Sequence, residues 1–129
     1  MIQLREVMTT EVLTTSAERS VAEVTSRMVK ARVGSAVVLQ GSWLAGILTE
    51  RDVLRAAASG SDLTRSPVSQ WMTRDPVTAT PDTTVGEAAE VMLANGFRHL
   101  PVVEGRSLKG VVSIRDVLAS GIRHRSNLE

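Results

Sequence analysis

Gly46-Ile47-Leu48-Thr49-Glu50-Arg51-Asp52-Val53-Leu54 and Gly110-Val111-Val112-Ser113-Ile114-Arg115-Asp116-Val117-Leu118 are two versions of one stretch. Each reads as the apolar end of a strand, then a Thr or Ser suited to cap a helix, then a first turn with Asp at its third position. The offset is 64 residues, the distance from Met8 to Met72, and it holds without a gap to the far ends of the repeat. Outward from the core stretch, Gly41 meets Gly105, Val38 meets Val102, Met28 meets Met92, Glu23 meets Glu87, Thr14 meets Thr78 and Met8-Thr9 meets Met72-Thr73. A duplication of this length dictates the architecture.

Within each copy the periodicities agree. A short extended piece, Val12-Leu13-Thr14-Thr15 or Pro76-Val77-Thr78-Ala79, precedes a helix announced by Ser20-x-x-Glu23 or Thr84-x-x-Glu87. Val21, Val24 and Met28, or Val85, Ala88 and Met92, share one helical face. Gly34 and Gly96 suit the helix ends. The runs Ala36-Val37-Val38-Leu39 and Leu100-Pro101-Val102-Val103 then turn at Gly41 or Gly105 into Ile47-Leu48 or Val111-Val112, a hairpin pattern. Thr49 and Ser113 cap closing helices expected over Glu50 to about Ala58 and Ile114 to about Ser120. Each copy is therefore β-α-β-β-α. One copy exposes an apolar sheet face, so the expected fold is α/β (α+β): two repeats, 1–60 and 68–121, packed with pseudo-two-fold symmetry, with 61–67 as linker and 122–129 as tail.

Composition narrows the function. With 129 residues the chain can bury a real core, and without cysteine it has no disulfide, thiolate metal site or thiol nucleophile. Fifteen Lys and Arg against 14 Asp and Glu leave a net charge of +1, so no strong field draws nucleic acid or an acidic membrane. Trp43, Trp71 and Phe97 are the only aromatics, too few to stack single strands, and the core must be built from Val, Leu, Ile, Ala and Met. No apolar run reaches the roughly 18 residues of a membrane span, and Arg5 and Glu6 stand where a signal peptide needs apolar residues, so a cytoplasmic location is expected. Only His99 and His124 could act as a catalytic imidazole, no nucleophile elbow is present, and Glu87 with Glu90 reads as a solvated helix face; no enzyme is expected. P-loop and dinucleotide-fold glycine patterns are missing, as are His-x-x-x-His and acidic-loop metal spacings.

These residues resemble the cystathionine-β-synthase (CBS) domain, of which two copies form a Bateman module. The likeness rests on Val7-Met8-Thr9 and Trp71-Met72-Thr73, on His99-Leu100-Pro101-Val102-Val103, and on the two strand-to-helix stretches quoted first. It implies a regulatory sensor that binds an adenosyl ligand (AMP, ADP, ATP or S-adenosylmethionine), with no covalent cofactor, and changes the state of a partner protein that the sequence does not name.

Elementary chemistry makes the assignment reasonable. Free N–H groups at a helix N-terminus favour a phosphate, a Thr49 hydroxyl adds a donor, and the Asp52 carboxylate can accept from two ribose hydroxyls. Ser113 and Asp116 repeat the arrangement. The same Ser/Thr-x-x-Asp spacing also serves as a plain helix cap, and a CBS fold with no ligand, acting in protein interaction or stress response, is the alternative. By resemblance, one cleft takes Ile47, Thr49, Arg51 and Asp52, with Pro76 and Val77 at the adenine and Arg98 and His99 at the phosphates. The twin takes Val111, Ser113, Arg115 and Asp116 with Val12, Leu13, Gly34 and Ser35. Because Val12, Leu13, Gly34 and Ser35 supply no base at the twin's phosphate end, where Arg98 and His99 supply two in the other cleft, the Asp52 cleft is expected to be the stronger. Arg51 and Arg98 suit bidentate phosphate contact, although either could pair with a carboxylate instead.

A homodimer is expected through the closing helices, whose Val53-Leu54-x-Ala56-Ala57-Ala58 and Val117-Leu118-Ala119 offer small apolar faces. The tail concentrates Arg123, His124 and Arg125, a weak footprint for nucleic acid, and Leu128-Glu129 matches what a cloning site leaves behind.

Overall fold

The computed structural model describes residues 1–128, with side chains described as far as Gly121; the basic tail and Leu128-Glu129 lie outside the described side chains. The elements are a 3-10 turn Leu4–Glu6, then β1 Thr14–Thr15, α1 Val21–Ala31, β2 Ser35–Gln40, β3 Trp43–Thr49, α2 Glu50–Ala58, α3 Val68–Trp71, β4 Thr73–Arg74, α4 Val85–Asn95, β5 His99–Glu104, β6 Ser107–Ser113 and α5 Ile114–Leu128. They form two compact units, one of Val12–Pro76 and one of Met1–Glu11 with Val77–Glu129.

In the contiguous unit, β1 runs parallel to β2, β2 pairs antiparallel with β3, and β4 pairs antiparallel with β3 through Gly46↔Arg74 and Ile47↔Thr73. The β2–β3 hairpin closes over Gly41-Ser42, between the pair Gln40↔Trp43, with Gly41 at φ 63°, a conformation glycine adopts without strain. Helix α1 starts at Ser20, whose hydroxyl accepts from the Glu23 N–H at 3.1 Å. Its buried Val24 and Met28 meet Ala36, Val38 and Leu48 of the hairpin and Val68 of α3.

The other unit repeats this plan in outline. Its hairpin β5–β6 turns at Gly105, φ 62°, between Glu104↔Ser107. The extended piece expected at Pro76–Ala79 contracts to one parallel bridge, Ala79↔Val102, and the place of β4 is taken by a single bridge, Thr9↔Val111. The core joins Ala88, Met92, Leu100, Val102, Val112 and Leu4. Position by position, Val24 and Ala36 are replaced by Ala88 and Leu100, so a loss of bulk on the helix is offset by a gain on the strand. Both clusters contain only aliphatic side chains and Met, as the composition required.

Two sequence expectations need correction. The left-handed residue ending α1 is Arg32, φ 57°, not Gly34; it occupies the position of Gly96, φ 71°, in the copy. The repeat offset determines that position, and a non-glycine there costs about 1 kcal/mol. Arg32→Gly is therefore expected to raise stability by about 0.5–1 kcal/mol and Gly96→Ala to lower it by about 1 kcal/mol, opposite shifts that thermal unfolding reads directly. Second, α5 runs on to Leu128 rather than stopping near Ser120, because Gly121 alone, without a following proline, penalises a helix by only about 1 kcal/mol. The stretch 61–67, expected as the linker, is bonded to the start of α1. Ser66 is buried, and the carbonyls of Ser66 and Leu63 accept from Val21 and Ala22 N–H at 2.9 and 3.0 Å, satisfying the first donors of α1. The chain also makes helical turns at Leu4–Glu6 and Val68–Trp71 ahead of its Met-Thr motifs.

These turns reveal how the units are assembled. Val68 N–H donates to Arg19 O (2.8 Å) and Ser69 N–H to Ala17 O (2.9 Å); Leu4 N–H donates to Thr83 O (2.8 Å) and Arg5 N–H to Pro81 O (3.0 Å). Under the 64-residue offset these are the same two bonds. Each opening segment, 1–11 or 68–76, thus docks on the α-β-β portion of the other sequence copy. The compact units and the sequence repeats are different partitions of one chain.

Candidate functional site

Each unit places a hairpin end against the N-terminus of its closing helix. Ser35 pairs with Thr49 at the end of β2–β3, and Gly34 O accepts from Glu50 N–H at 3.0 Å; His99 pairs with Ser113, and Arg98 O accepts from Ile114 N–H at 2.9 Å. The first helix donors are thereby satisfied by backbone, and the next are met by the cap itself.

At α2, Asp52 N–H donates to Thr49 Oγ1 (3.4 Å), while Thr49 N–H (2.9 Å) and hydroxyl (3.1 Å) donate to Asp52 Oδ2. At α5, Asp116 N–H donates to Ser113 Oγ (3.1 Å) and Ser113 N–H to Asp116 Oδ2 (2.9 Å). Both are reciprocal capping boxes with Asp in the third position, each contributing about 0.5–2 kcal/mol. A carboxylate has about four acceptor sites, so capping leaves capacity on the second oxygen.

The two boxes are not equal. Asp52 is 3% exposed and its Oδ1 accepts from Arg55 at 3.3 Å. Arg55 also lies over the ring of Trp71, 5.9 Å from the centroid. Asp116 is half-buried, and three residues on stands Ala119 instead of an arginine. Sequence reading passed over Arg55 and Trp71. The i, i+3 spacing of Asp52 and Arg55 was visible, but Trp71 belongs to the opening motif of the other copy and reaches α2 only through the segment exchange.

The remaining residues fall as follows. The contiguous unit holds Val12, Leu13, Gly34, Ser35, Ile47, Thr49, Arg51, Asp52 and Pro76; the other holds Val77, Arg98, His99, Val111, Ser113, Arg115 and Asp116. Within one unit the basic pair Arg98 and His99 therefore adjoins Ser113, the cap of α5, whereas Gly34 and Ser35 adjoin Thr49. Arg51, Arg98 and Arg115 are exposed, Ile47 and Val111 are buried, and Val77 is 47% exposed. Among the described residues no cluster of three or more His, Cys, Asp or Glu is placed to hold a metal, and no helix is long and apolar enough to cross a membrane. Asp62 and Asp82, both exposed, have carboxyls held below the ordinary carboxylate range by hydrogen bonds from Thr64 and Thr80; neither stands at a capping box.

A family model for the CBS domain matches residues 4–59 and again 68–122. The chain belongs to the CBS domain family. The matches open at Leu4 and Val68, the two exchanged helical turns, so a CBS repeat as a sequence unit includes a segment that packs on the other copy. The chain is 32% identical to the CBS domain-containing protein YhcV of Bacillus subtilis, over 98% of this chain and 90% of that one. It is 40% identical to an uncharacterized 17.7 kDa protein of Acidianus ambivalens over 89% of this chain and 70% of that one. Among solved structures, a CBS domain protein of Pyrobaculum aerophilum complexed with AMP shares 30% identity at a TM-score of 0.83, covering 92% of this chain and 97% of that one.

Proposed function

We propose that this CBS pair is a regulatory module that binds an adenosyl ligand, AMP, ADP, ATP or S-adenosylmethionine, and changes the state of a partner protein without catalysing a reaction. The observation that carries this reading is the duplicated helix start, in which Thr49 with Asp52 and Ser113 with Asp116 hold a hydroxyl and a carboxylate beside helix N–H groups. The AMP-bound relative supports the same ligand class. In this reading the ribose hydroxyls donate to an Asp at a helix start, Asp52 or Asp116. Thr49, Ser113, Arg51, Arg98, His99 and Arg115 serve the phosphate end, and Ile47, Val111, Pro76 and Val77 give the adenine an apolar surface. Binding alters the partner only as far as ligand affinity differs between two states of the module.

The test is a thermal-shift panel of these four compounds with GTP as control. A ligand at 100 times its dissociation constant stabilises the fold by about 2.7 kcal/mol, several degrees in a domain of this size. An adenosyl-specific shift lost in the Asp52→Ala, Asp116→Ala double variant is expected. No shift from any compound would leave both boxes as helix caps and turn the reading to the alternative, a ligand-free interaction protein.

We further propose a homodimer. Val29 (72% exposed) and Leu54 (70%) on α1 and α2 recur as Leu93 (78%) and Leu118 (62%) on α4 and α5, so each unit shows an apolar helix pair to the outside. Ala56 and Val117 are buried within their own units and take no part. Light scattering is expected to give twice the chain mass for the wild type and the chain mass for Leu54→Glu with Leu118→Glu.

A further inference from the structure

We infer that Arg55 sets the rank of the two proposed sites by locking the Asp52 carboxylate, which leaves Asp116 as the ribose acceptor of the unmodified protein. This rests on the adenosyl-binding reading above and deepens it. Asp52 Oδ2 is filled by the Thr49 N–H and hydroxyl, and Oδ1, the oxygen that a capping box leaves for a ligand, accepts from Arg55 at 3.3 Å. The carboxylate is nine-tenths buried, with a side-chain exposure of 5%. Trp71 holds the lock in place. Its ring stands 5.9 Å below the Arg55 guanidinium, and its buried Nε1 has no hydrogen-bond partner among the described residues.

Nothing equivalent guards the other copy. The offset puts Ala119 at the place of Arg55 and Val7 at the place of Trp71, a pair with neither cation nor ring. Asp116 uses Oδ2 for the Ser113 N–H, and its Oδ1 has no partner among the described residues. A ribose diol finds three unused acceptor sites on Asp116 among the described residues but only one on Asp52, so there it must displace the charge-assisted Arg55 bond before both hydroxyls can donate. Arg98 and His99 also stand beside this cap: His99 pairs with Ser113, and Arg98 O accepts from Ile114 N–H. This ranking is the reverse of the one expected from the sequence.

The experiment is calorimetry with AMP on the wild type, Asp116→Ala, Asp52→Ala, Arg55→Ala and the Arg55→Ala, Asp116→Ala double variant, each checked for folding by circular dichroism. Expected are a single ligand per wild-type chain and at least tenfold weaker binding in Asp116→Ala. Arg55→Ala adds a second ligand per chain, and the double variant regains binding lost in Asp116→Ala. A merely structural Arg55 could lower stability but could not create that gain. Ala119→Arg brings a guanidinium to Asp116 and is expected to weaken the wild-type site. Binding abolished by Asp52→Ala and kept in Asp116→Ala would overturn the inference alone, as would an Arg55→Ala protein with unchanged stoichiometry. Absence of any heat with the wild type would overturn the adenosyl-binding reading and this inference together.

Discussion

Gly46→Ala and Gly110→Ala are each expected to destabilise the protein by about 2–4 kcal/mol, a large share of the 5–15 kcal/mol that holds a domain of this kind together. A methyl carbon at Gly46 would stand 2.6 Å from the Thr73 carbonyl oxygen and 3.0 Å from the Met72 sulfur. At Gly110 it would stand 2.6 Å from Thr9 O and 3.0 Å from Met8 sulfur. In both places the obstacle is backbone that is itself tied down: Thr9 and Val111 exchange N–H···O bonds of 2.9 and 3.0 Å, and Thr73 is the partner of Ile47 in the antiparallel pairing of β3 and β4. The segment can make room only by leaving the hairpin. Gly86 supplies the control, since a methyl there meets nothing within 4 Å and lies in helix α4. Gly86→Ala is expected to be neutral or to stabilise by up to about 1 kcal/mol. Denaturant unfolding of the three variants measures the contrast. Equal effects at Gly46 and Gly86 would refute the close approach.

Leu4→Ala is expected to cost about 2–5 kcal/mol, although Leu4 is the fourth residue of the chain, where truncation is ordinarily harmless. Its side chain is fully buried with Ala88, Met92 and Leu100, and the surrounding backbone is bonded at Thr83, Pro81 and Val111. The location of the damage tests the segment exchange more sharply than its size. Hydrogen exchange should quicken among the amides of Val85–Asn95 and Ser107–Ser113, while those of Val21–Ala31 and Trp43–Thr49, nearer in sequence, keep more of their protection. Val68→Ala should reverse the pattern, because Val68 packs with Val24, Met28 and Leu48. Loss of protection in Val21–Ala31 on Leu4→Ala would show that the opening segment belongs to its own sequence copy.

The repeat, the element types and most of the core were legible in the sequence, because each rests on local chemistry. Capping boxes, a Gly-led two-residue turn and aliphatic periodicity each specify structure within a few residues, and the duplication doubled every signal. The strand-to-helix stretches around Thr49 and Ser113 folded as read, with reciprocal caps. The left-handed position at Arg32 was legible too, since it lies opposite Gly96 under the same offset, but a glycine two residues away offered the more obvious reading.

Other features required the tertiary structure. That Met8-Thr9 lies on Gly110 and Met72-Thr73 on Gly46 cannot be read from spacing, because a tandem repeat satisfies the same bonds whether its opening segments stay or exchange. Which copy they choose is decided by chain length and packing over dozens of residues, not by the motif. The inequality of Asp52 and Asp116 has the same origin: the arginine that locks Asp52 is local, but the tryptophan beneath it arrives from the other copy. Local hydrogen bonding shaped each half, and long-range packing decided which halves were made of what.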